Sequence, residues 1–212
     1  YANAADRCYC TAEDVESTKK EVEEAGVQWE GYDGKCRDLD PAGAAARAEG
    51  GEACAWRLKT PTEGSTFWYD VIVDKREFPN EVLVDRVIMK ADGFPTYQFA
   101  CVVDDHTMGM THVLRGDDHV SNTQLQLVIY EALGWKPPKF GHMPMILGPD
   151  KKRLSKRHGA TSVEEFENSG VLPQSMFNYL ALLGWSPGDD REVMDRPTLV
   201  QAFTLDRVQP SP

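Results

Sequence analysis

The sequence predicts an α/β fold, and the middle of the chain supplies the main evidence. A strand pattern begins at Thr111 and ends in polar residues, a helical period follows, and a second buried strand is expected over 142–147. Strand, polar loop, helix and strand in this order make an α/β crossover. Ahead of it, β-branched and aromatic runs within 55–89 indicate a small mixed or antiparallel sheet. Ligands of crossover sheets lie beyond the carboxyl ends of the strands, where Arg115 falls.

The elements of the first part follow from caps, breakers and periodicity. Thr11 and Asp14 form a capping box, so a helix is expected to run to about Glu24 and to end at Gly26. A short helix with a connection is expected over 41–53. The sheet pattern places strands at 55–58, 67–73, 82–84 and 87–89.

The later elements are predicted in the same way. Gly and Pro fix a turn at 92–97, and a buried segment follows at 99–103. The crossover helix starts within 118–121, keeps a helical period and ends at Gly134. The remaining expected elements are a Ser162–Glu165 capping box with a helix to about Gly170, a helix from Pro173 to Gly184 with Met176, Phe177, Leu180 and Leu183 on one face, and further helix through Val208.

The composition is that of an ordinary globular chain with an acidic balance. Of 212 residues, 41% are hydrophobic and 27% are charged, and the formal net charge is -11. No apolar run approaches the roughly 20 residues that a bilayer crossing needs, so the cytoplasm is the default location and no membrane partner is expected. Five cysteines are too few and too unevenly spaced for a disulfide framework. Because the chain opens without Met and closes without an obvious final element, an internal fragment is expected.

Three of the cysteines form a candidate metal knuckle. Cys8 and Cys10 are separated by one residue, and Cys36 follows a predicted helix. Thiolates at that spacing can share one tetrahedral zinc ion, but a fourth donor is needed. Tyr32 and Asp38 stand close enough in sequence, and neither residue type is a common zinc ligand. The alternative is that all three are free cysteines in a loop-rich subdomain, and the sequence leaves both readings open.

A basic stretch follows the second crossover strand. It contains five cationic side chains within seven positions of an acidic protein: Lys151, Lys152, Arg153, Lys156 and Arg157. Such a loop is a candidate anion site, and the neighbouring serine and glycine suit a backbone that bends around phosphates. On charge alone it would be a solvated surface turn. Its position after a strand of the crossover favours phosphate binding.

Several segments resemble one family in its own order. Arg153-Leu-Ser-Lys-Arg157 is similar to the Lys-Met-Ser-Lys-Ser loop of class I aminoacyl-tRNA synthetases, in the form seen in bacterial glutamyl-tRNA synthetases. Further similar segments are Asp92-Gly-Phe-Pro-Thr-Tyr97, Val102-Val-Asp-Asp105, Thr111-His-Val-Leu-Arg-Gly116 and Asn178-Tyr-Leu-Ala-Leu-Leu-Gly-Trp185. The resemblance implies an inserted α+β domain for the tRNA acceptor end over 1–90. It also implies the second half of the Rossmann-type catalytic domain over 91–148, and the signature loop with the start of a helical stem-contact domain over 149–212.

The resemblance also implies roles for individual residues. Lys156 is the expected catalytic lysine on the ATP phosphates. The other residues expected on ATP are Arg153, which replaces the first signature lysine, Ser155, Asp118 and the backbone of Met145 and Ile146. Tyr97 and Arg115 are expected to hold glutamate, since an arginine fork suits a carboxylate. The implied zinc ligands are Cys8, Cys10 and Cys36, with Asp38 at a position where some members have histidine, or Tyr32, whose position a sister group uses.

The implied activity is ligation of L-glutamate to tRNA(Glu) through a glutamyl adenylate. The implied cofactors are ATP and Mg²⁺, with structural zinc in some members, and the expected enzyme is a monomer. The His-Ile-Gly-His-type motif would lie upstream and the anticodon-binding domain downstream, so the fragment alone is not expected to activate glutamate.

Alternatives to this activity are a truncated paralogue that glutamylates a modified tRNA base, glutaminyl-tRNA synthetase, and a non-catalytic RNA-binding module. A metal-dependent hydrolase built on Asp104-Asp-His106, His112 and Asp117-Asp-His119 is a fifth reading.

Overall fold

The computed structural model describes residues 4–29, 31–146 and 162–209, which fall into two compact units. The first unit comprises Tyr1–Trp68, Glu77–Thr111 and Ser121–Pro138, and the second comprises Tyr69–Arg76, His112–Val120 and Lys139–Pro212. Each unit combines segments that are distant in sequence. The domain boundaries expected from the resemblance, 1–90, 91–148 and 149–212, remain predictions.

In the described part of the chain, helices and strands alternate between residues 87 and 143, and elsewhere consecutive elements are mostly of the same kind. The strands are β1 Ala5–Cys8, β2 Ala55–Leu58, β3 Ser65–Asp70, β4 Asp74–Pro79, β5 Val87–Met89, β6 His112–Gly116 and β7 Lys139–Met143. The helices are α1 Ala12–Glu24, α2 Pro41–Glu49, α3 Tyr97–Thr107, α4 Val120–Leu133, α5 Val163–Asn168, α6 Pro173–Leu182 and α7 Arg196–Ala202. No helix within the described ranges is both long enough and apolar enough to cross a membrane.

The first unit contains an antiparallel sheet in the order β1-β2-β5. Two of its strands, β2 and β5, were predicted, whereas β1 was not and the predicted strand β3 pairs with β4 in a separate sheet. The capping box before α1 is confirmed, because Thr11 Oγ1 accepts the Asp14 N–H at 3.1 Å and Asp14 accepts the Thr11 N–H at 2.8 Å. Helix α4 has the bounds expected of the crossover helix and buries Val128, Ile129 and Tyr130 almost completely. Thr123, Gln124 and Gln126 are buried as well, so the middle of this helix is covered on several sides and supplies much of the core of this unit.

Several predicted elements differ from the structure. The expected strand at 82–84 is wrong, because Asn80–Val82 forms a 3-10 turn that is anchored by the Asn80 side chain, whose Nδ2 donates to the Glu63 carbonyl at 2.8 Å. The expected strand at 67–73 ends instead at Asp70, whose Oδ1 accepts the Ile72 N–H at 3.0 Å and turns the chain. The segment 99–103, which was expected to be buried, lies within helix α3, and of its residues only Val102 is buried.

In the second unit, β6 and β7 form the parallel pair that the crossover predicted. The second strand lies earlier than expected, at Lys139–Met143 instead of 142–147, because Pro144 lacks the N–H that would continue the ladder. Gly141 lies against the turn that follows β3, and a methyl group there would come within 2.6 Å of Val71 Cγ2 and 2.7 Å of Leu114 Cδ2. Any larger residue at this position would force the side chains of Val71 and Leu114 to move.

The helices after the basic stretch form their own small core around Trp185, Met194 and Leu199. Ser162 and Glu165 form the predicted capping box of α5. The predicted apolar face of α6 is only partly buried, since Met176 is covered while Phe177 is 42% exposed and Leu180 is 45% exposed. This segment therefore presents apolar side chains at the surface of its unit.

Candidate functional site

The three knuckle cysteines converge in the first unit. Cys8 ends β1, Cys10 precedes α1 by two residues, and Cys36 lies in the turn before α2. Their sulfur atoms all lie within 4.8 Å of one another, and Cys10 Sγ is 3.5 Å from Cys36 Sγ. Thiolates bound tetrahedrally at about 2.3 Å from zinc are separated by a little under about 4 Å. The three sulfur atoms therefore fit three corners of a zinc site.

The geometry favours Tyr32 over Asp38 as the fourth donor. The Tyr32 hydroxyl lies 3.9 Å from Cys8 Sγ and accepts the backbone N–H of Cys36 at 2.7 Å. Within the described residues, the group of His, Cys, Asp and Glu side chains compact enough to hold an ion consists of the three cysteines and does not include Asp38. Tyrosine is an uncommon zinc ligand, and the position of Tyr32 four residues before Cys36 was the available sequence signal.

The pKa values of the groups in the cysteine cluster are shifted in different directions. Burial raises the pKa of Cys8, but hydrogen bonds from Arg57 and the Cys10 backbone and the charge of Arg57 outweigh it, so the net pKa is lowered. Burial and the neighbouring thiols raise the pKa of Cys10 to about 12. Burial also raises the pKa of Tyr32. Removing a second proton from this cluster is therefore unfavourable unless a cation takes its place.

In the second unit, Arg115, the residue expected to bind the substrate carboxylate, packs against His142 and Phe140. Arg115 and His142 are opposite each other in the register of β6 and β7, and Arg115 Nε lies 3.4 Å from His142 Nε2. The Arg115 guanidinium also lies 5.4 Å from the centroid of Phe140. Arg115 is half-buried near the carboxyl end of β6, which is where a parallel pair presents ligand-binding groups.

Two of the residues expected on the nucleotide side meet at the same end of the strands. A methyl group at Gly116 would lie 2.5 Å from Asp118 Oδ1 and 3.9 Å from Met145 Sδ. The glycine therefore lets the Asp118 carboxylate fold back over the end of β6. Ile146 follows β7 and is 48% exposed. Asp118 and Met145 are brought together around Gly116, and their nucleotide role remains a prediction.

Tyr97 belongs to the first unit, where it opens α3 and is 57% exposed. It lines a groove of about 420 Å³ together with Gln98, Asn122 and Arg86. Gln98 Nε2 donates to Asn122 Oδ1 at 2.6 Å, which fixes the amide beside the tyrosine. Sequence reasoning did not single out Gln98 or Asn122, because a lone amide carries no motif.

The signature loop with Arg153, Ser155 and Lys156 lies outside the described residues. The acidic clusters of the hydrolase reading do not form a metal site in the described part of the chain. Asp104 and His106 lie on helix α3, not on a strand, and His106 stacks on Trp135 with centroids 3.9 Å apart. This stacking gives the histidine a packing role.

The fold and these sites define the catalytic domain of a class I aminoacyl-tRNA synthetase. The family described as tRNA synthetases class I (E and Q), catalytic domain, matches residues 2–212, and the chain belongs to it. The predicted α/β class with a Rossmann-type catalytic domain is thereby confirmed.

Similar proteins are glutamate–tRNA ligases. Glutamate–tRNA ligase 1 of Caldanaerobacter subterraneus subsp. tengcongensis is 47% identical over 205 residues, which cover 97% of this chain and 42% of that protein. Glutamate–tRNA ligase of Citrifermentans bemidjiense is 49% identical over 207 residues, covering 98% of this chain and 43% of that protein. The crystal structure of a glutamate tRNA ligase from Elizabethkingia meningosepticum, in complex with its amino acid, is 30% identical with a TM-score of 0.88 and covers 98% of this chain and 46% of that one. The chain spans less than half the length of these relatives.

Proposed function

We propose that this chain is part of a glutamate–tRNA ligase that joins L-glutamate to tRNA(Glu) through a glutamyl adenylate, with ATP and Mg²⁺. The observation that carries the proposal is Arg115, a guanidinium held over Phe140 and His142 at the carboxyl end of β6. A fixed guanidinium is the group that recognises a substrate carboxylate through two parallel hydrogen bonds. The named relatives support the choice of glutamate.

In the proposed reaction, a carboxylate oxygen of glutamate attacks the α-phosphorus of ATP, and the bond to the bridging oxygen of pyrophosphate breaks. A hydroxyl of the terminal tRNA adenosine then attacks the activated carbonyl carbon and AMP leaves. Neither step needs a covalent enzyme intermediate, so the protein positions the reactants and stabilises the developing phosphate charge. Arg115 and Tyr97 would hold glutamate, Asp118 and the backbone at Met145 the nucleotide, and Lys156 the phosphates.

We also propose a structural zinc ion held by Cys8, Cys10, Cys36 and Tyr32. The sulfur separations and the Tyr32 hydroxyl support this ligand set. A zinc ion there would cross-link the end of β1, the start of α1 and the loop before α2. The segment 1–90 would contact the tRNA acceptor end, and the enzyme would act as a cytoplasmic monomer.

Glutamate-dependent ATP–pyrophosphate exchange by the full-length protein, measured with tRNA present, tests the proposal. We expect exchange that requires glutamate and that collapses in Lys156→Ala, because the phosphates lose their cationic partner. The control is Lys136→Ala, which removes an exposed lysine just after α4 and should leave exchange unchanged. Absence of exchange by folded native protein would contradict the ligase function and would favour the non-catalytic RNA-binding module.

A further inference from the structure

A buried histidine–aspartate pair lies directly behind Arg115. The side chains of Asp70 and His142 are both fully buried, and His142 Nδ1 lies 2.5 Å from Asp70 Oδ2. The other imidazole nitrogen, Nε2, lies 3.4 Å from Arg115 Nε. A continuous chain of polar contacts therefore runs from a carboxylate in the interior to the guanidinium at the end of β6. The proposed reaction gives no role to either buried residue.

The polarity of these contacts fixes the imidazole tautomer. A guanidinium has only donors, so a hydrogen bond between Arg115 Nε–H and His142 Nε2 requires that Nε2 be the acceptor. The ring proton then sits on Nδ1, where it can be donated to Asp70 Oδ2. A protonated imidazole would present a second donor and a like charge to Arg115, and the neutral Nδ1–H form avoids both.

The aspartate is held from several sides. Its Oδ1 accepts the backbone N–H groups of Ile72 at 3.0 Å and His142 at 3.2 Å. In addition, the Val71 N–H donates to the Phe140 carbonyl at 2.9 Å, which fastens the turn after β3 to β7. The carboxylate therefore cannot rotate without losing backbone hydrogen bonds. Because it is fixed, it can dictate which imidazole nitrogen carries the proton.

We propose that Asp70 and His142 are positioning residues for substrate recognition. Asp70 sets the tautomer and orientation of His142, and His142 Nε2 holds Arg115 by its Nε so that the Nη groups can bind the carboxylate of glutamate. Imidazole and substrate then use different N–H groups of the same side chain. The proposal rests on the proposed ligase function, in which Arg115 binds glutamate.

Matched variants separate this role from simple support of the fold. Asp70→Asn keeps the shape and can still accept the backbone N–H groups, but its amide would donate to Nδ1 and drive the ring proton to Nε2, facing Arg115. His142→Leu removes the acceptor, whereas His142→Gln offers an amide oxygen in its place. Asp85→Asn is the control, because Asp85 is another buried carboxylate with a backbone N–H partner, Thr60, and lies in the other unit.

The test is steady-state ATP–pyrophosphate exchange by the full-length protein, with the KM for glutamate and the KM for ATP measured separately. In Asp70→Asn and His142→Leu we expect the KM for glutamate to rise between about tenfold and about a hundredfold while the KM for ATP stays within about twofold, since the misplaced group contacts glutamate alone. His142→Gln should recover most of the loss. Asp85→Asn should leave the KM for glutamate unchanged. Equal rises in both KM values, or no rise with a folded protein, would overturn the positioning role.

Two further measurements distinguish a failure of the proposed role of Arg115 from a failure of the positioning role of His142. If Arg115→Ala does not raise the KM for glutamate, the assignment of Arg115 in the proposed function fails, and the positioning proposal falls with it. If Arg115→Ala raises this KM but His142→Leu does not, only the positioning proposal fails. Nitrogen-15 NMR of the imidazole of His142 in the native protein needs no variant: the Nδ1–H tautomer is expected, and an Nε2–H tautomer would overturn the proposal without any activity measurement.

Discussion

The guanidinium of Arg57 lies 3.6 Å from the centroid of the Tyr32 ring, the residue that the geometry favours as a fourth zinc donor. Arg57 also donates to the Asp85 carbonyl at 2.8 Å, so its guanidinium is held by the segment just before β5. A zinc ion with three thiolates and a phenolate would carry excess negative charge, and a cation stacked on the phenol ring partly offsets it. Arg57 is therefore a partner that orients the tyrosine toward the cysteines.

We expect Arg57→Met to weaken zinc binding by roughly tenfold to a hundredfold, the range typical for loss of a group behind a metal ligand. Arg57→Lys should lie between native and Met, because an ammonium keeps the charge and loses the planar stacking. Competition with a chromophoric chelator measures the affinity. Equal affinities for native and Arg57→Met would contradict the stacking role.

The fourth donor can be decided with a pair of substitutions. Tyr32→Phe keeps the ring under Arg57 and removes the hydroxyl, so it should lower zinc affinity and alter the absorption spectrum of the Co²⁺-substituted protein. Asp38→Asn is the matched control and should change neither. The reverse outcome, with Asp38→Asn weakening binding and Tyr32→Phe silent, would assign the fourth position to the aspartate.

Asp85 joins the knuckle loop to the sheet of the first unit. Its Oδ1 accepts the Thr60 N–H at 2.8 Å and the Thr60 hydroxyl at 3.0 Å and pairs with Arg37, the residue after Cys36. We expect Asp85→Ala to lower the free energy of unfolding by about 3 kcal/mol, because the half-buried arginine and the buried threonine lose their acceptor. Urea denaturation measures it. The exposed Arg47–Glu52 pair is the control, and Glu52→Gln should cause no measurable change.

The lowered pKa of Asp70 predicts that the free energy of unfolding decreases in acid. Burial raises its pKa, but hydrogen bonds from His142 and the backbone N–H groups of Ile72 and His142 outweigh this and lower it from 3.8 to about 2. Folding thus favours the ionised carboxylate, so the stabilisation is present above about pH 4 and is lost as the pH falls toward 2. The difference in unfolding free energy between native protein and Asp70→Asn should be about 2 kcal/mol at pH 6. It should become smaller as the pH falls from about 4 toward 2. A difference that does not depend on pH would contradict the assignment.

Tyr97 gives a separate test of glutamate recognition in the first unit. Tyr97→Phe removes the hydroxyl expected to contact glutamate, and the KM for glutamate should rise about tenfold with the KM for ATP unchanged. Tyr179→Phe alters another exposed tyrosine, on α6, and serves as the control. A parallel change in both variants would point to a general effect of losing a surface hydroxyl.

Local chemistry explains which elements the sequence could predict. The α1 capping box depends on two side chains three residues apart, and Gly134 ends α4 within its own turn, so both are visible in a short window. Strand β4 was missed because its residues are largely charged and its pairing with β3 is a tertiary contact. The expected strand at 82–84 failed because its β-branched residues were outweighed by the hydrogen bonds of Asn80.

The same distinction between local motifs and tertiary contacts separates the site residues that could be predicted from those that could not. Arg115 and Asp118 could be chosen because each stands at a strand end in a recognisable segment. The pair behind Arg115 could not be chosen, since Asp70 and His142 are 72 residues apart and meet only when the turn after β3 packs on β7. Tyr32 was one of two candidates from spacing alone, and only the folded loop shows its hydroxyl beside Cys8.

The register of β6 and β7 has an evolutionary consequence. Arg115 faces His142 only in the observed pairing, and a slip of one residue would set it opposite Gly141 or Met143 and turn the histidine to the other face. Gly141 opposes such a slip because a larger residue in its place would displace the side chains of Val71 and Leu114. Single-residue insertions or deletions within either strand would thus separate Arg115 from His142 without replacing either side chain. Inherited length variation should therefore accumulate in the connecting segments, and these two strands should keep a constant length through the lineage.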